Sequence, residues 1–244
     1  MIDYKLYVIR HGITQGNLEG RYIGSTDLPL CPEGEEQLKK LMEERIYPDV
    51  KKVYTSPMQR CLDTAEVLYP DSHIQLIPEL KEYDFGIFDG KKADELKDNE
   101  DFLRWAASGM REAPEGGESM ENFLRRCEDG FAKVIEDMMR NRITEAALIV
   151  HGGVLMNLMA SHAYPQREPV YWQAEPGEGY TLLITPQIWH RGQVVEAFDP
   201  IPYSREEQPE PSFYEFFDLL DDLDEEDFEC ADSTRCCAKT RFAV

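Results

Sequence analysis

The sequence has no long apolar run and few basic residues. None of its segments approaches the roughly 18 to 20 consecutive apolar residues that span a bilayer, and its start, Met1 to Lys5, does not have the pattern of a secretory signal. The 26 Lys and Arg residues are outnumbered by 48 Asp and Glu, giving a formal charge of −22. Nucleic-acid binders neutralise phosphates with clustered Lys and Arg. We therefore expect a cytoplasmic protein that binds neither membranes nor nucleic acids.

Motifs that hold metals or nucleotides are also missing. The six cysteines include no Cys-x-x-Cys pair, and no His-x-His or His-x-x-x-His spacing occurs. The phosphate-binding consensus Gly-x-x-x-x-Gly-Lys-Ser/Thr is absent as well. These absences predict reduced thiols, no metal and no cofactor, so that any catalysis must depend on side chains alone.

The chain nevertheless has the composition of a folded protein, and its charge is unevenly distributed. Apolar residues make up 42% and aromatic residues 11% of the 244 residues. Residues 206–232 contain thirteen acidic residues and no Lys or Arg, which leaves only −9 for the remainder. We therefore predict a catalytic domain over residues 1–200 and an acidic tail over 201–244. One amphipathic helix is predicted in the tail from the helical spacing of Phe213, Phe216, Phe217, Leu220 and Leu223.

Strand-like and helix-like segments alternate along residues 1–200. This alternation predicts an α/β fold with three layers, α/β/α, and a mostly parallel central sheet. Ser56 and Pro57 have the residue types of a helix N-cap and first helical position. Strands are predicted at 4–9, 50–55, 73–77, 146–150, 180–185 and 193–197, and helices at 32–46, 57–68, 92–107, 118–141 and 154–162.

Two predicted strands end in the same way, with a histidine followed by glycine. These are His11 after the first strand and His151 after the strand at 146–150. Open α/β sheets bind ligands beyond the carboxyl ends of their strands, so we expect both imidazoles at one crevice. Arg10 adjoins His11, and Arg60 falls in the first turn of a helix, where a cation opposes the helix dipole. A bound phosphate would explain Arg60, because arginines and helix N-termini both bind anions.

These residues and others, in the same order and spacing over about residues 4–197, resemble the histidine phosphatase superfamily, whose fold is the phosphoglycerate mutase-like α/β/α fold. The matching blocks are Arg10-His11-Gly12 with Thr14, Asn17, Arg21 and Gly24, then Thr55-Ser56-Pro57 with Arg60, then Glu82 with Gly86, and finally Val150-His151-Gly152-Gly153.

The resemblance implies a role for each matching residue. His11 would be the nucleophile that forms a phosphohistidine, Arg10 and Arg60 would hold the phosphoryl oxygens, and His151 would be a second phosphate-binding imidazole. Glu82 would be the proton donor, with Glu79 and Asp84 as nearby alternatives. The pocket would be completed by Thr14, Asn17, Arg21, Gly24 and Gly152.

A phosphatase is favoured over a mutase. Glu82 and His151 are only 69 residues apart, whereas the phosphoglycerate mutases of the superfamily have a long insertion there, with an arginine pair for the substrate carboxylate. The only such pair here, Arg125-Arg126, falls inside a predicted helix. The segment 114–119 resembles an element of small bacterial phosphatases, alpha-ribazole phosphatases among them. Ile23 and Phe85 replace more polar residues, which suits a less polar substrate.

The expected ligand is therefore a small phosphorylated metabolite, hydrolysed without a metal. Two alternatives stay open: phosphoryl transfer of the mutase type, and a non-catalytic protein that binds a phosphorylated ligand and acts through its tail. A homodimer is left open, and the acidic tail is expected to contact its own domain or a protein partner.

Overall fold

The structure, a computed structural model, describes residues 2–205. Its centre is a seven-stranded sheet made of β1 (Tyr4–Arg10), β3 (Lys52–Thr55), β4 (His73–Leu76), β5 (Glu145–Val150), β6 (Ala163–Tyr164), β7 (Gly179–Ile184) and β8 (Val195–Ile201). The strand order across the sheet is β4-β3-β5-β1-β7-β8-β6. Strand β7 is antiparallel to β1 and β8, and the other four pairings are parallel. The mostly parallel sheet is confirmed.

Both faces of the sheet are covered by helices. Successive residues of β1 point to opposite faces, and Leu6 and Val8 belong to one buried cluster while Tyr7 and Ile9 belong to the other. The first cluster includes residues of α6 (Met120–Asn141) and α7 (Gly152–His162), and the second includes residues of α2 (Pro32–Glu44) and α3 (Gln59–Leu68). The three-layer α/β/α architecture is therefore confirmed.

Shorter elements connect these layers. The predicted helix at 92–107 is two helices, because Asn99 starts a second one by accepting a hydrogen bond from the Phe102 N–H with its side chain. The short helices are α1 (Gln15–Leu18), α4 (Ala93–Leu96), α5 (Glu100–Ala107) and α8 (Pro186–Gly192), with 3-10 turns at Pro78–Leu80, Gly86–Phe88 and Pro169–Trp172.

The start of α3 differs from the prediction. Ser56 and Pro57 precede the helix, which begins at Gln59. The Gln59 N–H donates to Asp27 Oδ1 at 2.7 Å, so a distant loop caps the helix. The Ser56 hydroxyl instead lies 2.8 Å from His151 Nε2. The prediction that Ser56 is an N-cap is therefore wrong, although Arg60 does lie in the first turn.

The folded domain continues past residue 200. Strand β8 ends at the buried Ile201, and a second, two-stranded sheet joins β2 (Arg45–Ile46) to β9 (Tyr203–Ser204). The boundary predicted after residue 200 is therefore placed too early, and the predicted tail helix lies outside the described residues. Within residues 2–205, no helix combines the length and apolar character of a membrane span. Cys31, Cys61 and Cys127 are buried free thiols.

Candidate active site

The two histidines meet at the carboxyl ends of β1 and β5. These strands are parallel neighbours with Arg10 opposite Val150, so the next residues, His11 and His151, leave the sheet side by side. Their ring centroids are 5.2 Å apart. His11 is 5% exposed and His151 is fully buried. The predicted convergence of the imidazoles is confirmed.

A hydrogen bond of His11 defines its tautomer. His11 Nδ1 lies 2.7 Å from the carbonyl oxygen of Gly12. Since a carbonyl oxygen can only accept, Nδ1 carries the proton and Nε2 holds the lone pair. Burial, followed by the charges of Arg60 and Arg10, lowers the pKa of His11 to about 3. The imidazole is therefore neutral at ordinary pH and has a nucleophilic nitrogen.

His151 is fixed from behind by Arg60. The Arg60 Nε–H donates to His151 Nδ1 at 3.1 Å, which requires that Nδ1 be unprotonated. A neutral His151 then carries its proton on Nε2, where it can donate to Ser56 Oγ. Burial and the nearby Arg60 hold the pKa of His151 well below its usual value. Arg60 thus selects the tautomer of the second imidazole.

The guanidinium of Arg60 is enclosed by protein groups. Besides His151, it donates to the carbonyl oxygens of Gly24 and Thr26, each at 3.0 Å, and its residue is only 1% exposed. The loop that supplies these carbonyls is held by Asp89, which accepts hydrogen bonds from the Gly24 N–H at 2.6 Å and the Thr26 N–H at 2.7 Å. Arg60 therefore ties the 24–26 loop to His151.

An open cleft of about 290 Å³ lies in front of His11. Six of the ten site residues predicted from the sequence line it: Arg10, His11, Asn17, Arg21, Glu82 and Gly152. The remaining lining residues are Tyr22, Ile23, Phe85, Gly153, Met156, Gln173 and Ala174. The other four predicted residues, Thr14, Gly24, Arg60 and His151, are not part of this lining.

Arg10 is held by a hydrogen bond from Nη1, and its Nε–H is unpaired within residues 2–205. Its Nη1 donates to the Ala174 carbonyl oxygen at 2.8 Å. Its Nε is buried and has no hydrogen-bond partner within residues 2–205. A buried donor without a partner is costly, and here it belongs to a cation beside the nucleophilic imidazole. Arg10 can therefore offer an N–H to an anionic ligand in the cleft.

Glu82 reaches the cleft beside the start of α7. Its carboxylate oxygens accept hydrogen bonds from the Tyr83 N–H and the Gly153 N–H, both at 2.9 Å. Burial raises the pKa of Glu82, and these two hydrogen bonds partly oppose the rise. A Cβ atom at Gly153 would lie 2.5 Å from Glu82 Oε1, so only glycine admits the carboxyl group here. Glu82 therefore presents to the cleft a carboxyl group that holds a proton more readily than an ordinary glutamate.

Two residues predicted to line the pocket have structural roles instead. Thr14 is buried and caps α1, where its hydroxyl and N–H both donate to Asn17 Oδ1. The Gly24 N–H donates to Asp89, and a Cβ atom at Gly24 would lie 1.9 Å from the Tyr83 carbonyl oxygen. The pocket roles predicted for Thr14 and Gly24 are therefore wrong in this structure.

Arg21 reaches the cleft, but its charge is already paired. Its Nε donates to Glu19 Oε2 at 2.6 Å, and its Nη1 donates to the Gly90 carbonyl oxygen at 2.7 Å and lies 3.5 Å from Glu95 Oε1. Glu19 and Glu95 therefore offset its positive charge.

Sequence reasoning missed several residues of the cleft wall. Met156 is one of them, although it follows Gly152 by four residues on α7 and so lies on the same helical face. Gln173 and Ala174 follow a 3-10 turn that no periodic pattern indicates. The role of Ser56 was missed because its type and position also fit a helix cap.

Comparison with known proteins identifies the family. Residues 6–192 match the histidine phosphatase superfamily (branch 1). The chain belongs to the histidine phosphatase superfamily. It is 31% identical over 160 residues to an adenosylcobalamin/alpha-ribazole phosphatase of Escherichia coli, covering 64% of this chain and 77% of that protein. Phosphoserine phosphatase 1 of Hydrogenobacter thermophilus is 29% identical over 159 residues, covering 64% and 74%.

The fold of this histidine phosphatase is also found in a mutase. The crystal structure of a phosphoglycerate mutase from Bacillus anthracis matches with a TM-score of 0.65 at 20% identity, covering 81% of this chain and 92% of that one. The predicted family and fold are therefore confirmed, and the protein is an enzyme of the phosphatase and phosphoryl-transfer class. Within residues 2–205, no group of three or more His, Cys, Asp or Glu side chains could hold a metal ion.

Proposed function

We propose that the protein hydrolyses small phosphomonoesters through a phosphohistidine on His11. The observation that carries this proposal is the hydrogen bond between His11 Nδ1 and the Gly12 carbonyl oxygen, which leaves the Nε2 lone pair free. A low pKa keeps the ring unprotonated. Arg10 adjoins it in sequence, with an Nε–H that has no partner among residues 2–205. A neutral imidazole next to a cation is suited to attack phosphorus while the charge of the phosphoryl oxygens is stabilised.

The reaction then has two steps. In the first, the Nε2 lone pair forms an N–P bond as the P–O bond to the alcohol breaks, and Glu82 gives its proton to the departing oxygen. In the second, the Glu82 carboxylate takes a proton from water, the water oxygen bonds to phosphorus, and the N–P bond breaks. One carboxyl group serves as acid and then as base, so both it and His11 return to their starting states.

The geometry supports different roles for Arg10 and Arg60. Arg10 lines the cleft and has a buried Nε–H that is unpaired within the described residues, so it is proposed to hold a phosphoryl oxygen. The donors of Arg60 are directed at Gly24, Thr26 and His151, which supports a part in positioning His151 and lowering the imidazole pKa values. Direct contact of Arg60 and His151 with the phosphoryl group stays a prediction.

The cleft favours an apolar alcohol portion without a carboxylate. Arg21 is the second cation of the lining, and it is paired with Glu19 and Glu95. A phosphoglycerate or phosphoserine carboxylate would therefore meet an arginine that is already neutralised, at an energetic cost. The remaining wall offers apolar surface from Tyr22, Ile23, Phe85 and Met156. These features support a phosphatase for apolar or aromatic phosphomonoesters over a mutase.

A cytoplasmic location, a homodimer, the lack of a cofactor and a binding role for residues 206–232 stay predictions from the sequence.

Replacement of the nucleophile tests the proposed function. We expect His11→Ala to lower kcat with p-nitrophenyl phosphate at least about 1,000-fold, because no other group supplies the attacking nitrogen. Assays contain EDTA, which should leave the wild-type rate unchanged. His190→Asn is the control, since His190 is exposed on α8, and it should retain wild-type activity. Equal activity of wild type and His11→Ala would reject the proposal.

The raised pKa of Glu82 predicts the basic side of the pH profile. Glu82 must be protonated to donate, so kcat/KM for an alkyl phosphate should fall as pH rises through that pKa. Glu82→Gln cannot donate a proton, and its low residual rate should show no fall in that range. The measurement is kcat/KM against pH for both proteins. A variant with the same falling limb as wild type would contradict the assignment.

The substrate preference can be measured with two alkyl phosphates. We expect kcat/KM for benzyl phosphate to exceed that for phosphoserine by about tenfold or more. The benzyl ring buries apolar surface in the cleft, whereas the carboxylate of phosphoserine would meet Arg21, which is already paired with Glu19 and Glu95. Glu19→Gln removes one of the two carboxylates that pair with Arg21, so it should reduce the ratio of kcat/KM for benzyl phosphate to kcat/KM for phosphoserine. A preference for phosphoserine, or conversion of 3-phosphoglycerate to the 2-isomer without phosphate release, would contradict this account.

A further inference from the structure

We propose that Arg126, oriented by Glu118, is a positioning residue that holds the Glu82 segment for proton donation. This inference rests on the proposed function, in which Glu82 is the proton donor. Arg126 lies on α6, and its contacts to the Glu82 segment are with main-chain atoms.

One guanidinium binds three carbonyl oxygens of a single short segment. Arg126 Nη1 donates to the carbonyl oxygens of Glu79 at 2.8 Å and Lys81 at 2.5 Å, and Nη2 donates to that of Glu82 at 2.9 Å. Hydrogen bonds from a charged donor are stronger than neutral ones. Arg126 therefore fixes the backbone on the N-terminal side of Glu82 and at Glu82 itself.

Glu118 binds Arg126 and also holds the backbone on the C-terminal side of Glu82. Its Oε2 accepts from Arg126 Nε at 3.0 Å and its Oε1 from Arg126 Nη2, so the pair is bidentate. Oε1 also accepts from the Asp84 N–H at 3.0 Å. The Arg126 and Glu118 side chains are 24% and 18% exposed, which limits competition from water. The two side chains thus hold residues 79 to 84 on both sides of the proton donor.

The segment needs this support because regular structure does not provide it. Residues 81–85 belong to neither a helix nor a strand. The Glu82 carboxyl group accepts hydrogen bonds from the Tyr83 and Gly153 N–H groups, and both bonds depend on where the backbone lies. An error of about 1 Å in the placement of a reacting group can cost about 100-fold in rate. Loss of the guanidinium should therefore impair proton donation more than it impairs attack by His11.

The leaving group distinguishes this role from a general structural one. p-Nitrophenolate departs without a proton, whereas an alkoxide requires one, and kcat/KM reports the step in which the leaving group departs. We expect Arg126→Met to lower kcat/KM for benzyl phosphate about tenfold more than for p-nitrophenyl phosphate. Arg126→Lys, which keeps one charged donor, should restore part of the loss. Glu118→Gln should shift the ratio in the same direction, which provides a second test if Arg126→Met folds poorly.

The control is the neighbouring arginine. Arg125 is exposed, and its side chain donates to Asn122 within the same helix, so Arg125→Met should leave both rates unchanged. Equal losses of kcat/KM on the two substrates in both Arg126→Met and Glu118→Gln would overturn the inference. It would also be overturned if Arg125→Met changed the ratio of the two kcat/KM values as much as Arg126→Met does. Glu82→Gln separates the two proposals. If Glu82→Gln lowers kcat/KM equally for benzyl phosphate and p-nitrophenyl phosphate, the assignment of Glu82 as proton donor fails. If Glu82→Gln lowers kcat/KM more for benzyl phosphate but neither Arg126→Met nor Glu118→Gln does, only the inference about Arg126 fails.

Discussion

The contact between the buried Arg60 guanidinium and His151 is the interaction on which the site depends. Burial of the two imidazoles and the nearby charge of Arg60, which is itself 1% exposed, both oppose their protonation, so the adjacent imidazoles stay neutral. The same guanidinium selects the tautomer of His151 and donates hydrogen bonds to the carbonyl oxygens of Gly24 and Thr26, which hold the 24–26 loop. The Ser56 hydroxyl accordingly forms a hydrogen bond with His151. Helix α3 begins two residues beyond Pro57, and Asp27 accepts the hydrogen bond that caps it.

Close packing of backbone against the catalytic groups is the second constraint. Glycine at 153 leaves room for the Glu82 carboxyl group at the start of α7, and glycine at 24 lets its loop approach the Tyr83 carbonyl oxygen. Residues 81–85 belong to neither a helix nor a strand, and Arg126 on α6 and Glu118 just before that helix supply hydrogen bonds to this part of the backbone. The segment 114–119, which resembles an element of small phosphatases, therefore has a structural role, because it delivers Glu118 to that contact.

Local patterns predicted the parts of the molecule that depend on local chemistry. The strands that end in His-Gly predicted the meeting of His11 with His151 at one edge of the sheet, and the helix-like segments predicted α2, α6 and α7. Contacts between residues far apart in the chain could not be predicted this way. Asp27 caps α3 in place of Ser56, whose hydroxyl bonds to His151, and the Gly24 N–H bonds to Asp89 instead of facing the cleft. The pairing of Arg21 with Glu19 and Glu95 likewise depends on loop geometry.

The central claim is that His11 attacks through Nε2, because Nδ1–H is held by the Gly12 carbonyl oxygen. The most direct measurement traps the enzyme during turnover by an alkaline quench and locates the phosphoryl group by ³¹P and ¹⁵N NMR of protein with labelled histidine. The account predicts one phosphohistidine, at His11, with phosphorus bonded to Nε2. A phosphoryl group on Nδ1 or on another residue, or turnover with no covalent intermediate, would contradict it.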